Sequence, residues 1–184
     1  DEDLNLYAVW GNNPPYQLQY LFENADDDDY TINPAYSTAK NDVVEGQSAL
    51  IPELSTIPTG FVAYPGYSEE VLSGTVVADP QLVLKRFYKR VRFTVDLNYQ
   101  GADGNNTVLS QEYKYEQTEN LPTPTKTGYI FAGWFTAPDN TGVLIADGQK
   151  LTAGGTLYAK WTPDMVDFKV EHYKQELDGT YSSI

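Results

Sequence analysis

Tyr129-Ile130-Phe131-Ala132-Gly133-Trp134-Phe135 and Leu157-Tyr158-Ala159-Lys160-Trp161 are the two stretches whose reading decides the fold. Both are short, aromatic and suited to extended backbone. As a strand, the first places Tyr129, Phe131 and Gly133 on one face and Ile130, Ala132 and Trp134 on the other. The small residues at 132 and 133 leave room for the large rings beside them. On this reading Trp134 and Trp161 stand on neighbouring strands as interior plugs. Each such ring withdraws on the order of 150 to 250 Å² from water and contributes a few kcal/mol. In a unit of about 70 residues that is a large share of the total stability.

Working outward, the second stretch has a counterpart near the start of the chain. Leu6-Tyr7-Ala8-Val9-Trp10 returns as Leu157 to Trp161 about 151 positions later. Tyr16-Gln17-Leu18-Gln19-Tyr20 after the first Trp corresponds to Phe168-Lys169-Val170-Glu171-His172 after the second. Asp28-Asp29-Tyr30-Thr31 and Asp178-Gly179-Thr180-Tyr181 both read as an acidic turn before an aromatic strand. A long internal period is the mark of a tandem array. The expectation is one full period plus the start of the next, cut from a longer protein.

Composition narrows the function classes. The 184 residues carry 41% apolar residues, enough for one ordinary domain or two small ones. Lys plus Arg number 12 against 26 Asp plus Glu, giving a formal charge of -14 that opposes any nucleic-acid ligand. No apolar run approaches the roughly 18 to 20 residues that cross a bilayer, and Asp1-Glu2-Asp3 is not a signal sequence. With 0 Cys, disulfides, thiol catalysis and Cys-type zinc sites are excluded.

The remaining pattern is all short strands. Fifteen Tyr, seven Phe and three Trp fall mostly in alternating runs separated by Gly, Pro, Asn and Asp. The best strands are 16–22, 60–64, 82–88, 91–99, 108–115, 129–135 and 156–161. Gly11 to Pro15 and Thr162-Pro163-Asp164 read as linkers, because proline lacks the ladder donor. Phe87-Tyr88-Lys89-Arg90-Val91-Arg92-Phe93 runs from one strand into the next with no flexible spacer, which predicts a stiff junction.

Leu121-Pro122-Thr123-Pro124-Thr125-Lys126-Thr127-Gly128 leading into Tyr129 to Thr136, then Asp139-Asn140-Thr141-Gly142 and Thr156 to Trp161, closely resembles the Listeria-Bacteroides repeat, the B repeat of internalin-type surface proteins. With Phe93-Thr94-Val95-Asp96-Leu97-Asn98 as first strand, the resemblance covers about 92–161. Tyr99-Gln100-Gly101 departs from the Asn and Gly usual after that strand. Upstream, Tyr16 to Tyr20, Gly60 to Tyr67 and Leu82 to Arg90 resemble a divergent mucin-binding-protein type repeat, and Phe168 to Tyr181 resembles the opening of the same repeat.

These resemblances imply a β-rich α+β chain of two small ubiquitin-like β-grasp units in tandem, elongated, with a short helix expected at Ser37 to Val44 and strand or helix at Thr107 to Gln117. The implied division is 1–10 as the closing strand of a preceding B-type repeat, 11–91 as a mucin-binding-type repeat, 92–161 as the B repeat and 162–184 as the start of the next unit. They also imply a non-enzymatic segment of a Firmicute cell-surface protein, extracellular and cell-wall attached in its parent. It would act as a monomeric stalk that contributes to adhesion, with host mucin, glycan or surface protein as partner and no cofactor.

Candidate chemistry is sparse. His172 is the only histidine and lacks partners for a triad or a zinc site. Asp26 to Asp29 could offer oxygen ligands to a cation, but lacks the spacing of a calcium loop and reads as a solvated hairpin tip. No motif sets two carboxylates across a cleft. Tyr36, Tyr64, Tyr67, Tyr113 and Tyr115 lie outside the family pattern, and as surface rings they are candidates to stack on sugars. A Lys to Asn isopeptide crosslink would need a buried Lys, Asn and acid together. An orphan strand at Leu6 to Trp10 would seek a sheet edge.

Overall fold

The computed structural model describes residues 12–104, 108–118, 121–139, 141–165 and 167–183. Leu6 to Trp10 and its pairing therefore lie outside the described residues. The first sheet is built from β1 (Tyr16–Glu23), β2 (Tyr30–Ile32), β3 (Thr38–Lys40), β5 (Phe61–Ala63) and β7 (Val83–Arg90), with a separate ribbon of β4 (Ser48–Leu50) and β6 (Ser73–Thr75). Its order is β2-β1-β7-β5, and β3 shares the β2 edge of β1. The central pair β1 and β7 is parallel, in register from Gln17↔Val83 to Phe22↔Tyr88.

The strict alternation of Tyr16, Leu18, Tyr20 and Phe22 sends all four to one face, where they meet Ala49, Ile51, Val76, Leu84 and Tyr88 in a common core. Two hydroxyls of that core are satisfied, Tyr20 Oη donating to Pro52 O and Tyr88 Oη accepting from Leu54 N–H, while the buried Nε of the neighbouring Arg86 has no partner among the described residues. Leu21 and Phe87 on the other face are also buried. Phe87 is roofed by Tyr30 and Tyr67 at ring distances of 5.2 and 4.5 Å.

The second sheet comprises β8 (Arg92–Asn98), β9 (Leu109–Lys114), β10 (Tyr129–Phe135), β11 (Leu144–Ile145) and β12 (Gly155–Pro163), in the order β11-β10-β12-β8-β9. Here β8 and β12 are the parallel pair, from Val95↔Gly155 to Asn98↔Tyr158. Val95, Leu97, Tyr99, Ala102, Tyr113, Trp134, Leu151, Leu157 and Ala159 form its core. A last hairpin joins β13 (Tyr173–Gln175) to β14 (Tyr181–Ser183).

Trp134 and Trp161 stand on adjacent strands as expected, but the faces of the deciding stretch are not those of simple alternation. The β10–β12 register shifts between Phe131 and Gly133, so Ala132 is an extra residue and Gly133 takes φ +119°. This bulge turns both Phe131 and Trp134 toward the core, 5.8 Å apart edge to face. Gly133 is needed for its backbone angle; a Cβ there would also meet the tip of the half-exposed Leu144 side chain, which would have to turn aside. Trp134 is 3% exposed and its indole N–H donates to Pro122 O.

The α+β, β-grasp expectation is corrected to an all-β architecture: no helix occurs among the described residues. Ser37 to Val44 contains β3 instead. Its Ser37 Oγ accepts from Tyr20 N–H and its Asp42 accepts from the Tyr16 hydroxyl. Ser, Thr, Asn and Asp are weak helix formers whose side chains compete for backbone partners, and here the open edge of β1 claims the segment. Leu109 to Lys114 likewise pairs with β8 along its whole length. Thr162 and Pro163, expected in a linker, close β12, with Pro163 opposite Tyr129 at the ladder's end.

Candidate functional site: the junction between the two sheets

Val91 is the single residue between β7 and β8. Its N–H donates to Gly60 O of the first sheet at 2.8 Å, and its carbonyl accepts from Tyr115 N–H of the second at 2.8 Å. The connection therefore has no slack in its own backbone. Arg90 and Arg92 flank Val91 two residues apart, so strand geometry sends them to the same side.

Glu23, at the end of β1, is what they meet. It is 3% exposed and is the buried charged residue of the described chain. Its carboxylate accepts from Arg90 N–H at 2.7 Å and from Arg92 Nη2 at 2.8 Å, and lies 3.4 Å from Lys114 Nζ. A buried carboxylate without partners would be prohibitive, whereas this one receives a backbone donor and two cations. Arg90 adds bonds from Nε to Glu23 O and from Nη1 to Tyr115 O, with its guanidinium 4.7 Å from the Phe61 ring centre.

The acidic turn between β1 and β2 completes the contact. Lys114 Nζ donates to Asp27 O and to Asp28 Oδ1, and Thr118 N–H donates to Asp26 Oδ1. The hydrogen bond and charge of Lys114 hold the Asp28 carboxyl below the usual carboxylate range. The run is exposed, as expected of a solvated hairpin tip, and through these bonds it also contacts the second sheet. Burial pushes the Tyr30 hydroxyl up to about 12, with repulsion from Glu23 as the second cause. Gly60, at φ +84°, lies under the Tyr115 ring so closely that a Cβ would sit 2.1 Å from it.

The five candidate tyrosines are placed as follows. Tyr115 is this interface ring. Tyr113 is 2% exposed inside the second core and offers no face to a ligand. Tyr36 is exposed and tilts over Phe22 at 5.6 Å. Tyr64 and Tyr67 come together at 5.4 Å beside Tyr30, half-buried, with Lys89 Nζ 4.8 Å from the Tyr64 ring centre. The structure gathers two of the five and separates the rest.

The remaining candidates for chemistry stand apart among the described residues. His172 is exposed just before β13. No group of three or more His, Cys, Asp or Glu that could hold a metal occurs among the described residues. A groove of about 510 Å³ runs beside Trp161, where Lys126 Nζ donates to Gln100 O and Asp103 accepts from Thr127. The Lys114–Asp28 contact does not suit isopeptide chemistry, because its exposed carboxylate is held ionised.

The sequence announced the strand-to-strand connection and the acidic turn, but not Glu23, Lys114 or the contact of that turn with the second sheet. The available signal was the Arg90/Arg92 pair, two like charges on one strand face that require an acid opposite.

Residues 93–160 match the family model of the Listeria-Bacteroides repeat domain. No curated protein matches the chain. The Listeria-Bacteroides repeat is typical of bacterial surface proteins and occurs in extracellular ones.

Proposed function

We propose that this chain is a non-enzymatic spacer of a bacterial cell-surface protein, in which successive β units are joined without flexible linkers and contribute to adhesion by repetition. The observation that carries the reading is the Val91 junction, clamped by Glu23, Arg90, Arg92 and Lys114. A tether needs no such clamp, and a spacer that must keep its reach does. The division into units at 11–91 and 92–161, with 162–184 opening another unit of the first kind, belongs to the same proposal. It is supported by hairpin geometry: Glu23↔Tyr30 of β1 and β2 has its counterpart in Gln175↔Tyr181 of β13 and β14. Both loops are closed alike, by Asn24 N–H to Asp29 O and by Glu176 N–H to Thr180 O.

Small-angle scattering tests the reading. An elongated monomer is expected, and the radius of gyration of a single compact globule would overturn it. A second reading, recognition of mucin-type glycan or a host surface protein, is favoured by one observation, the adjoining half-buried rings of Tyr30, Tyr64 and Tyr67. A formal charge of -14 disfavours sulfated glycans among such ligands. A glycan array without signal above background would remove the glycan part of it.

A further inference from the structure

Chain order and sheet order together determine how tension passes through this molecule. The chain enters the first sheet along β1, leaves along β7, crosses Val91, enters the second sheet along β8 and leaves along β12. In each sheet the incoming and outgoing strands are direct neighbours and run parallel. In such a pair the start of one strand and the end of the other lie at opposite ends of their shared ladder. A pull on those two points is directed along the strands, in opposite senses. It slides one strand against the other and loads every rung of the ladder at once.

Antiparallel neighbours pulled from the same end behave differently. Tyr129 and Pro163, opposite each other in β10 and β12, are such a pair of points. Force applied there opens one rung at a time. A ladder hydrogen bond has a net worth of only about 1 kcal/mol in water, so rung-by-rung opening meets small barriers while simultaneous rupture meets their sum. Two further features favour the second mode in this chain. Leu18, Leu84, Phe87 and Tyr88 bury the β1–β7 ladder, and Leu97 and Leu157 bury that of β8–β12, so water is poorly placed to take over a strained bond. Val91, bonded to both sheets, passes load from β7 to β8 without slack.

We infer that the chain is a load-bearing element, two shear locks in series that resist tension applied between its ends. This deepens the spacer reading but rests on topology, so a compact scattering profile would refute the spacer and leave the shear locks untouched. The experiment is single-molecule pulling on the full chain, which is free of native cysteine and so accepts handles at chosen points. One variant carries Asn13→Cys and Met165→Cys, loading both parallel pairs along the strands. The other carries Ile130→Cys and Met165→Cys, loading β10 and β12 from one end. All three positions are exposed, and equal denaturant midpoints for the two variants establish that any difference comes from direction. At the same pulling speed the first is expected to rupture abruptly, at forces severalfold above the second, since forced unfolding reports the barrier along the pulled direction. Equal forces in the two directions, or a weaker first variant, would overturn the inference.

Discussion

Replacing Glu23 by alanine isolates the clamp between the sheets. The substitution removes the carboxylate that accepts from Arg90 N–H and Arg92 and faces Lys114, and leaves those donors without it. Deleting one partner of a buried ion pair costs about 3–5 kcal/mol. The low end applies here, because the Arg92 side chain is 37% exposed and water can rehydrate it, whereas that of Lys114 is only 12% exposed. A loss of about 3 kcal/mol is therefore expected. For a chain of this size that lowers the melting temperature by about 6–12 °C. Glu23→Gln keeps an acceptor for Arg90 N–H but loses the charge and turns an NH2 donor toward Arg92 Nη2 and Lys114 Nζ, where Oε1 had accepted. Since charge-assisted hydrogen bonds are roughly twice as strong as neutral ones, at least about half the alanine effect should remain. Urea denaturation at low and at molar salt is the assay. The difference from wild type should largely persist in high salt, because a carboxylate this buried is poorly screened. A Glu23→Ala midpoint equivalent to less than about 0.5 kcal/mol would refute the clamp as a stabilising element.

Three further outcomes follow from the same geometry. Gly60→Ala should destabilise by more than the roughly 1 kcal/mol typical of a left-handed position, because its Cβ meets the Tyr115 ring; in Tyr115→Ala its additional cost should shrink, read by a double-mutant cycle. Trp134→Ala should cost about 3–5 kcal/mol in denaturant unfolding, since it empties the second core and orphans Pro122 O; a change under about 1 kcal/mol would mean that the ring is not a plug. Tyr16 and Tyr30 are both pushed up to about 12 from 10.0, Tyr16 by burial and then by its bond to Asp42, Tyr30 by burial and then by Glu23. A raised folded value favours the neutral form, so their contribution is full below about pH 10 and is lost as pH climbs toward about 12. Phenolate absorbance during an alkaline titration should show a late-ionising group of tyrosines that includes these two, with Tyr20 and Tyr88 also raised by burial, and stability should fall through that window.

The long strands were legible in the sequence because each is an apolar and aromatic run long enough to stand out between turn residues, with β1 and β8 also showing the two-residue period in their burial. Tyr16–Glu23, Val83–Arg90, Arg92–Asn98 and Tyr129–Phe135 fall within two residues of expectation. Three-residue strands such as Thr38–Lys40 and Ser73–Thr75 carry no readable period and exist because a neighbouring edge needs a partner. The expected helices came from resemblance alone, not from any amphipathic repeat in Ser37 to Val44. The bulge at Ala132 was hidden because Gly133 reads equally well as a small residue making space. Of the junction, the missing spacer at Val91 was visible, but Glu23 and Arg92 are 69 positions apart and nothing local joins them. The exposure of a tyrosine is equally a property of the assembled sheets, which is why Tyr113 and Tyr36 look alike in sequence and differ in place.

A one-residue connection also constrains how such a protein can change length. Because β8 takes its register from β9 and β12 of its own sheet, a residue added at Val91 would leave Val95 and Leu97 inside and would instead displace the second sheet relative to the first, drawing Arg92 and Lys114 away from Glu23. Small insertions at this joint therefore cost the clamp, and reach grows without that cost in whole modules, making the molecule a ruler graduated in complete units.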